Sequence, residues 1–328
     1  MLKPQEEELR LQDFEFTDLY VSETGHVYVR GADTDGPLVG VPDGVISDMR
    51  DLFLVLMNEG QKKDRKEFFI DFDEVRYRVS RIRALDGMWF TLRKSRTVIP
   101  RLKELRIQQP IIKHLGWLGN KSGLLLIAGA TGQGKTTTAC SILREYLLSF
   151  GDVAVTIEDP PELMMNGQHG RFGRCFQLQL EDGETFGSAL VSALRYTPRY
   201  IFLGELRKSD DASQALRAAI SGHLVISTIH AGSVEEAINS MIKLTSAGEE
   251  SVDFARDLLA NGLAGVIHQK LFRSKGRVML KVESLFFGED NGLRTMIRDG
   301  QVNQIGTNIQ QQKARIEQGK MPVNLTRR

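Results

Sequence analysis

The sequence predicts an α/β protein built on a parallel sheet with crossover helices, preceded by a smaller α/β domain. Three observations predict it. From Gly123 onward, apolar runs of strand length alternate with stretches of helical spacing, the pattern of strands joined by helices. One strand-to-helix junction reads GATGQGKT, Gly129 to Thr136, and meets the phosphate-loop pattern G-x-x-x-x-G-K-[ST] at every fixed position. Before Pro100 the runs are shorter and punctuated by turn residues, as in paired strands.

In the first domain, Leu19, Val21 and Val27 to Val29 read as short strands around turns at Gly25 and Gly31. Val45 to Met57 has helical spacing. Phe68 to Phe72 and Val75 to Val79 read as paired strands, and Trp89 to Leu92 as another. Pro100 breaks the pattern, and Leu102 to Gly116 reads as a connector carrying a helix. The expected boundaries are a first domain over 1–103, a linker over 104–116 and a second domain over 117–328. In that second domain Leu124 to Ala128, Val153 to Ile157, Tyr200 to Leu203 and Leu224 to Thr228 read as buried strands. Helices are expected after the glycine loop, with Ile142, Leu143, Tyr146 and Leu147 on one face, and over Phe186 to Tyr196, Ser209 to Ile220 and Val234 to Leu244. After Ser251 the chain reads as mostly helical, ending in a polar helix and a loose tail from Ile305.

Composition bounds the function classes. A chain of 328 residues with 41% hydrophobic and 26% charged residues is ordinary for a globular protein of about two domains. The net charge of +1 supplies no electrostatic argument for nucleic acid, and none is expected as a partner. Cys140 and Cys175 lack C-x-x-C spacing, which supports neither a disulfide framework nor a zinc site and fits a reducing cytosol. No run approaches the ~18 uninterrupted apolar residues of a membrane span, and Met1 to Gln12 lacks the apolar core of a secretory signal.

The candidate chemistry begins at the glycine loop. Gly129, Gly132 and Gly134 let the backbone turn its N–H groups of Ala130, Thr131 and Gln133 inward toward phosphate oxygens, at the positive end of a helix dipole. Lys135 is placed to reach the β- and γ-phosphates of ATP, and the Thr136 hydroxyl, followed by Thr137, to ligate Mg²⁺. A glycine-rich turn carrying Lys-Thr by chance does not explain the flanking strand and helix.

Three further clusters follow strands whose carboxyl ends form the ligand edge of an open sheet. Glu158-Asp159-Pro160-Pro161-Glu162 follows the Val153 strand. Taken alone it is an acidic, proline-stiffened surface turn. One strand after a triphosphate loop, it is a candidate for positioning or deprotonating the attacking water and for the outer shell of Mg²⁺. Glu205 ends the apolar strand Tyr200 to Leu203 and is expected to organise the metal's water shell. His223 and His230 flank the Leu224 strand, and His230, at its far end, is placed to sense the γ-phosphate, although a lone histidine is commonly structural. In the first domain Arg76 and Arg78 share one strand face, with Arg93 on another strand; they are either surface charges or arginine fingers.

These motifs resemble the type II/type IV secretion ATPase superfamily. Walker A is GATGQGKTT, the acidic box TIEDPPEL, the glutamate-bearing Walker B IFLGELR and the histidine box SGHLVISTIHAGS. Order and spacing agree from about Arg76 to Leu271. More weakly, Phe16 to Val21, Arg76 to Ser80 and Leu92-Arg93 with Ile99-Pro100 resemble segments of the family's N-terminal part. The resemblance implies a PAS-like first domain, a RecA-like P-loop domain and a homo-hexameric ring with ATP between the domains. It makes Arg78 and Arg93 the arginine fingers. It also implies a cytoplasmic protein, held at the inner membrane by a platform protein of a pilus or secretion machine. The short chain, lacking a four-cysteine zinc motif, is most similar to the pilus-retraction and DotB branch, with Gln269-Lys270-Leu271 matching a family segment. It departs at Lys208, at Arg195 to Arg199, and at Thr295 to Asp299, where only Ile297-Arg298 matches.

Two functional classes remain open on the sequence. A motor would use Glu162 as general base, supported by Glu158. A nucleotide-binding accessory switch on a paired ATPase would turn over little and has no need of several carboxylates beside the phosphate, so the motor is favoured.

Overall fold

The computed structural model describes residues 10–31, 36–41, 43–63, 66–95, 98–181, 183–248, 250–274, 277–288 and 291–324. The chain divides into two compact units, Met1–Thr97 and Val98–Arg328.

The first unit is a six-stranded antiparallel sheet. Its strands are β1 (Asp18–Ser22), β2 (Val27–Arg30), β3 (Val39–Gly40), β4 (Glu67–Phe72), β5 (Val75–Ala84) and β6 (Gly87–Lys94), in the order β3-β2-β1-β6-β5-β4. Period-2 alternation decides which face is covered. Leu19, Val21, Val29, Phe68, Ile70, Tyr77, Val79, Phe90 and Leu92 all point one way, and they bury against Val45, Met49, Leu52 and Leu56 of helix α1 (Asp43–Lys63).

The second unit is an eight-stranded sheet. Its strands are β7 (Gly123–Ala128), β8 (Asp152–Glu158), β9 (Gly167–His169), β10 (Gly173–Gln179), β11 (Tyr200–Glu205), β12 (Leu224–Ile229), β13 (Leu263–Ser274) and β14 (Arg277–Phe286). The order is β14-β13-β7-β12-β11-β8-β10-β9, parallel from β13 to β10 with an antiparallel strand at each edge. The central strands are continuous apolar runs because both faces are covered. One face packs α4 (Phe186–Ala193), α5 (Ser209–Ile220), α6 (Val234–Ser246), α7 (Val252–Gly262) and α8 (Gly292–Arg298). The other packs α2 (Gln109–Leu118), α3 (Lys135–Phe150) and part of α9 (Gly306–Glu317).

Three expectations differ from this architecture. Residues 104–116, expected as a linker, belong to the second unit: α2 buries Ile111, Leu115 and Leu118 in its core. The region after Ser251, expected mostly helical, contains the long hairpin β13–β14; its apolar run Leu263 to Ile267 is buried as a strand beside β7. Of the expected loose tail, Gln318 to Asn324 is held by Arg315, which bonds Met321 O at 2.9 Å and Asn324 Oδ1 at 2.7 Å; the last four residues lie outside the described ones. One buried group is unusual. The His114 ring, wedged against Trp117 and Phe286, has neither nitrogen hydrogen-bonded, and burial lowers its pKa to about 4.

Candidate nucleotide site at the strand edge

Parallel pairing aligns the ends of four strands. Ala128 pairs with Ile229, Thr228 with Glu205 and Leu203 with Ile157. The glycine loop, His230, Glu205 and Glu158 therefore leave the sheet along one edge.

At that edge the loop 129–134 joins β7 to α3. Gly134 is the N-cap residue of α3 and sits at φ +76°, a left-handed conformation that favours glycine. Gly129 is required for a different reason: a Cβ there would lie 2.7 Å from the Gln269 carbonyl oxygen. The loop is also tied to β13. Gln133 Oε1 accepts from the Leu271 N–H at 2.6 Å, and Gln269 Nε2 donates to the Gln133 carbonyl at 2.6 Å. Lys135 is buried and its ammonium donates to the Gly129 and Ala130 carbonyls at 2.8 and 3.3 Å. Burial lowers its pKa, while the charges of Glu205 and Glu162 act against that shift. Both carboxylates therefore lie within electrostatic reach of the Lys135 head.

The acidic loop is organised differently. Glu158 is 2% exposed at the end of β8. Burial raises its pKa to about 7, against hydrogen bonds from Gln177 and the Glu162 backbone that favour the ionised form. Glu162 is exposed. Gln177 of β10, a strand with no expectation in the sequence pattern, donates from Nε2 to Glu158 Oε1 at 2.8 Å. Its half-polar alternation, Arg174, Gln177 and Gln179 among Cys175, Phe176 and Leu178, is the signal that could have marked the strand.

Glu205 follows a register shift at Gly204, and its Oε2 accepts two bonds from Arg207, at 2.9 and 2.6 Å. His230 is exposed just beyond β12; His223, at the other end, bonds the Pro198 carbonyl through Nδ1 at 2.6 Å, a structural contact. In the first unit Arg78 and Arg93 are directly opposite on β5 and β6. Like charges in that position repel, and each has an acidic neighbour: Arg78 reaches Glu67 at 2.8 Å and Arg93 pairs with Asp18. Arg76 is held by two bonds to Asp71.

Among the described residues no three His, Cys, Asp or Glu side chains converge as an all-protein metal cage. A magnesium ion at a phosphate loop does not need one. It keeps several waters and takes substrate oxygens plus one or two protein oxygens, and the Thr136 hydroxyl and Glu205 carboxylate are hard donors of that kind.

A phosphate loop at the edge of a parallel sheet, with carboxylates at two further strand ends, defines a P-loop nucleotide-binding protein. The family model described as "Type II/IV secretion system protein" matches residues 62–316. The uncharacterized protein YggR of Escherichia coli (strain K12) is 34% identical over 78% of this chain and 75% of its own. The type IV pilus retractation ATPase PilT of Pseudomonas aeruginosa is 30% identical over 90% of this chain and 85% of its own. A crystal structure of the pilus retraction motor PilT with bound ADP superposes with a TM-score of 0.74 at 27% identity, covering 91% of this chain and 87% of that one. The Legionella pneumophila ATPase DotB, at 22% identity and a TM-score of 0.73 over 93% of this chain and 89% of its own, shares the fold. The chain belongs to the type II/IV secretion system protein family, in the branch of PilT, and is an ATP hydrolase.

Proposed function

We propose that this ATPase is a motor subunit that couples ATP hydrolysis to pilus assembly or retraction, or to protein secretion or conjugation. The observation that carries the reading is the company of Lys135: two carboxylates, Glu162 and Glu205, lie near enough to oppose the effect of burial on its ammonium. A protein that only bound nucleotide would use Glu205 beside Mg²⁺ but would gain nothing from placing Glu162 beside a triphosphate.

In this reading the backbone N–H groups of 129–134 and the Lys135 ammonium would hold the phosphates, and Thr136 and Glu205 would hold Mg²⁺. When bound, the ion would neutralise charge on the β- and γ-phosphate oxygens. Glu162, exposed and the carboxylate of the acidic loop that acts on Lys135, accepts the proton of the attacking water. Glu158 would support it, and His230 would sense the γ-phosphate. The paired Arg78 and Arg93 serve a neighbouring subunit's site as arginine fingers in a homo-hexamer. The name of PilT among its relatives supports a pilus machine. No helix among the described residues is long and apolar enough to cross a membrane. A place at the cytoplasmic side of the inner membrane would therefore come through a platform protein.

The test is Mg-ATP turnover across protein concentration, with Lys135→Ala alongside. Shared sites predict specific activity that rises with concentration and vanishes in the variant. Nucleotide binding without turnover at any concentration would favour the accessory switch, and undiminished hydrolysis by Lys135→Ala would sink the site.

A further inference from the structure

Gln177 makes more of its hydrogen-bonding capacity than any other side chain at the strand edge. Its Nε2 spends both hydrogens, on Glu158 Oε1 at 2.8 Å and on the Leu163 carbonyl at 2.7 Å. Its Oε1 accepts two N–H groups, from Met165 at 2.9 Å and Asn166 at 3.2 Å. Its own backbone N–H donates to Asn166 Oδ1 at 3.3 Å. Two donors and two acceptors are all that a primary amide has, so this arrangement admits one orientation. Swapping N and O would set oxygen against Glu158 and Leu163, and NH₂ against two N–H groups. The register explains the reach. Gln177 pairs with Thr156 in the parallel β8–β10 ladder, and Gln179 with Glu158, so Gln177 and Glu158 project from the same face one step apart.

The consequence is specific to the acidic loop. Glu158 is buried at one end of it, and Leu163, Met165 and Asn166 lie just past Glu162. One side chain from a different strand grips both ends of the segment that carries the two carboxylates. Resting on the hydrolytic reading above, we propose that Gln177 is a positioning residue for water activation, holding the Glu158 carboxylate and the Glu162 backbone in one geometry. Among the described residues its hydrogen bonds reach no residue of 129–136, so its loss acts on turnover and not on nucleotide affinity.

The decisive substitution is Gln177→Glu. A carboxylate there still accepts from Met165 and Asn166, keeping the far end of the loop pinned. It offers Glu158 and Leu163 an oxygen in place of a donor. The expected result is a kcat lower by about tenfold to hundredfold in the folded variant, with the affinity for a fluorescent ATP analogue unchanged. Gln177→Met, of the same length with neither polar end, serves if facing carboxylates prevent folding; it too should lower kcat while sparing affinity. Wild-type kcat in a folded Gln177→Glu or Gln177→Met would overturn the proposal alone, as would affinity falling in step with kcat. A wild-type chain that binds nucleotide but never hydrolyses it would overturn the functional reading and this proposal together.

Discussion

The glycine loop and the acidic loop leave the same sheet edge, yet they are built by opposite means. In the glycine loop, neighbouring residues do most of the work. Gly134 supplies a left-handed N-cap, Lys135 folds back on carbonyls five and six residues away, and the next helix begins at once. The acidic loop is shaped from outside. Glu158 is buried by packing, and its carboxylate and the far end of the loop are held by an amide 19 residues on in sequence. One strand edge can thus set one loop by local conformation and another by tertiary contact, and the two should fail differently when perturbed.

After Lys135→Ala, the largest effect expected is on the acidic side. Glu162→Gln should lower hydrolysis by about 10²–10⁴-fold, the range for a general base, while ATP binding in an equilibrium titration stays intact. If Glu162→Gln hydrolyses normally and Glu158→Gln does not, the roles within the acidic loop are reversed.

A second test asks whether the burial of Glu158 is a product of the fold. Its pKa is raised from 4.5 to about 7. A raised acid favours folding most below its unfolded value, and that contribution is lost as pH rises through the folded one. Glu158→Gln removes the term. In urea unfolding, the variant should therefore gain up to about 3 kcal/mol relative to wild type between pH 4.5 and 7. A difference independent of pH would mean that the carboxylate is hydrated in solution.

The smallest effect belongs to the glycine loop. Gln133→Ala deletes the contact with Leu271 N–H, leaving the glycine geometry in place. Loss of one such bond is worth about 1 kcal/mol, or roughly fivefold in nucleotide affinity. A loss as severe as that of Lys135→Ala would show that the glycine loop leans on β13 as heavily as the acidic loop leans on β10.

The same division governs what could be read in advance. β7, the glycine loop and α3 were legible because turn chemistry, an apolar run and helical spacing are all short-range signals. Glu205 and the acidic cluster were legible as carboxylates following apolar strands. The long hairpin was not. Leu263 to Ile267 is apolar throughout, and a run without polar interruptions has no period to tell strand from helix. β10 was missed for the opposite reason. Its Gln177 is spent on the acidic loop and not on solvent, so it reads as surface.

The sequence by itself determined the alternation of strands and helices, the phosphate loop and the acidic strand ends, because each depends on the conformational preferences of adjacent residues. Only the tertiary structure decided that Arg78 stands opposite Arg93, that β13 braces the glycine loop through Gln133, and that Gln177 grips Glu158. Those contacts join residues on different strands, and strand order and register are set by how the whole sheet packs.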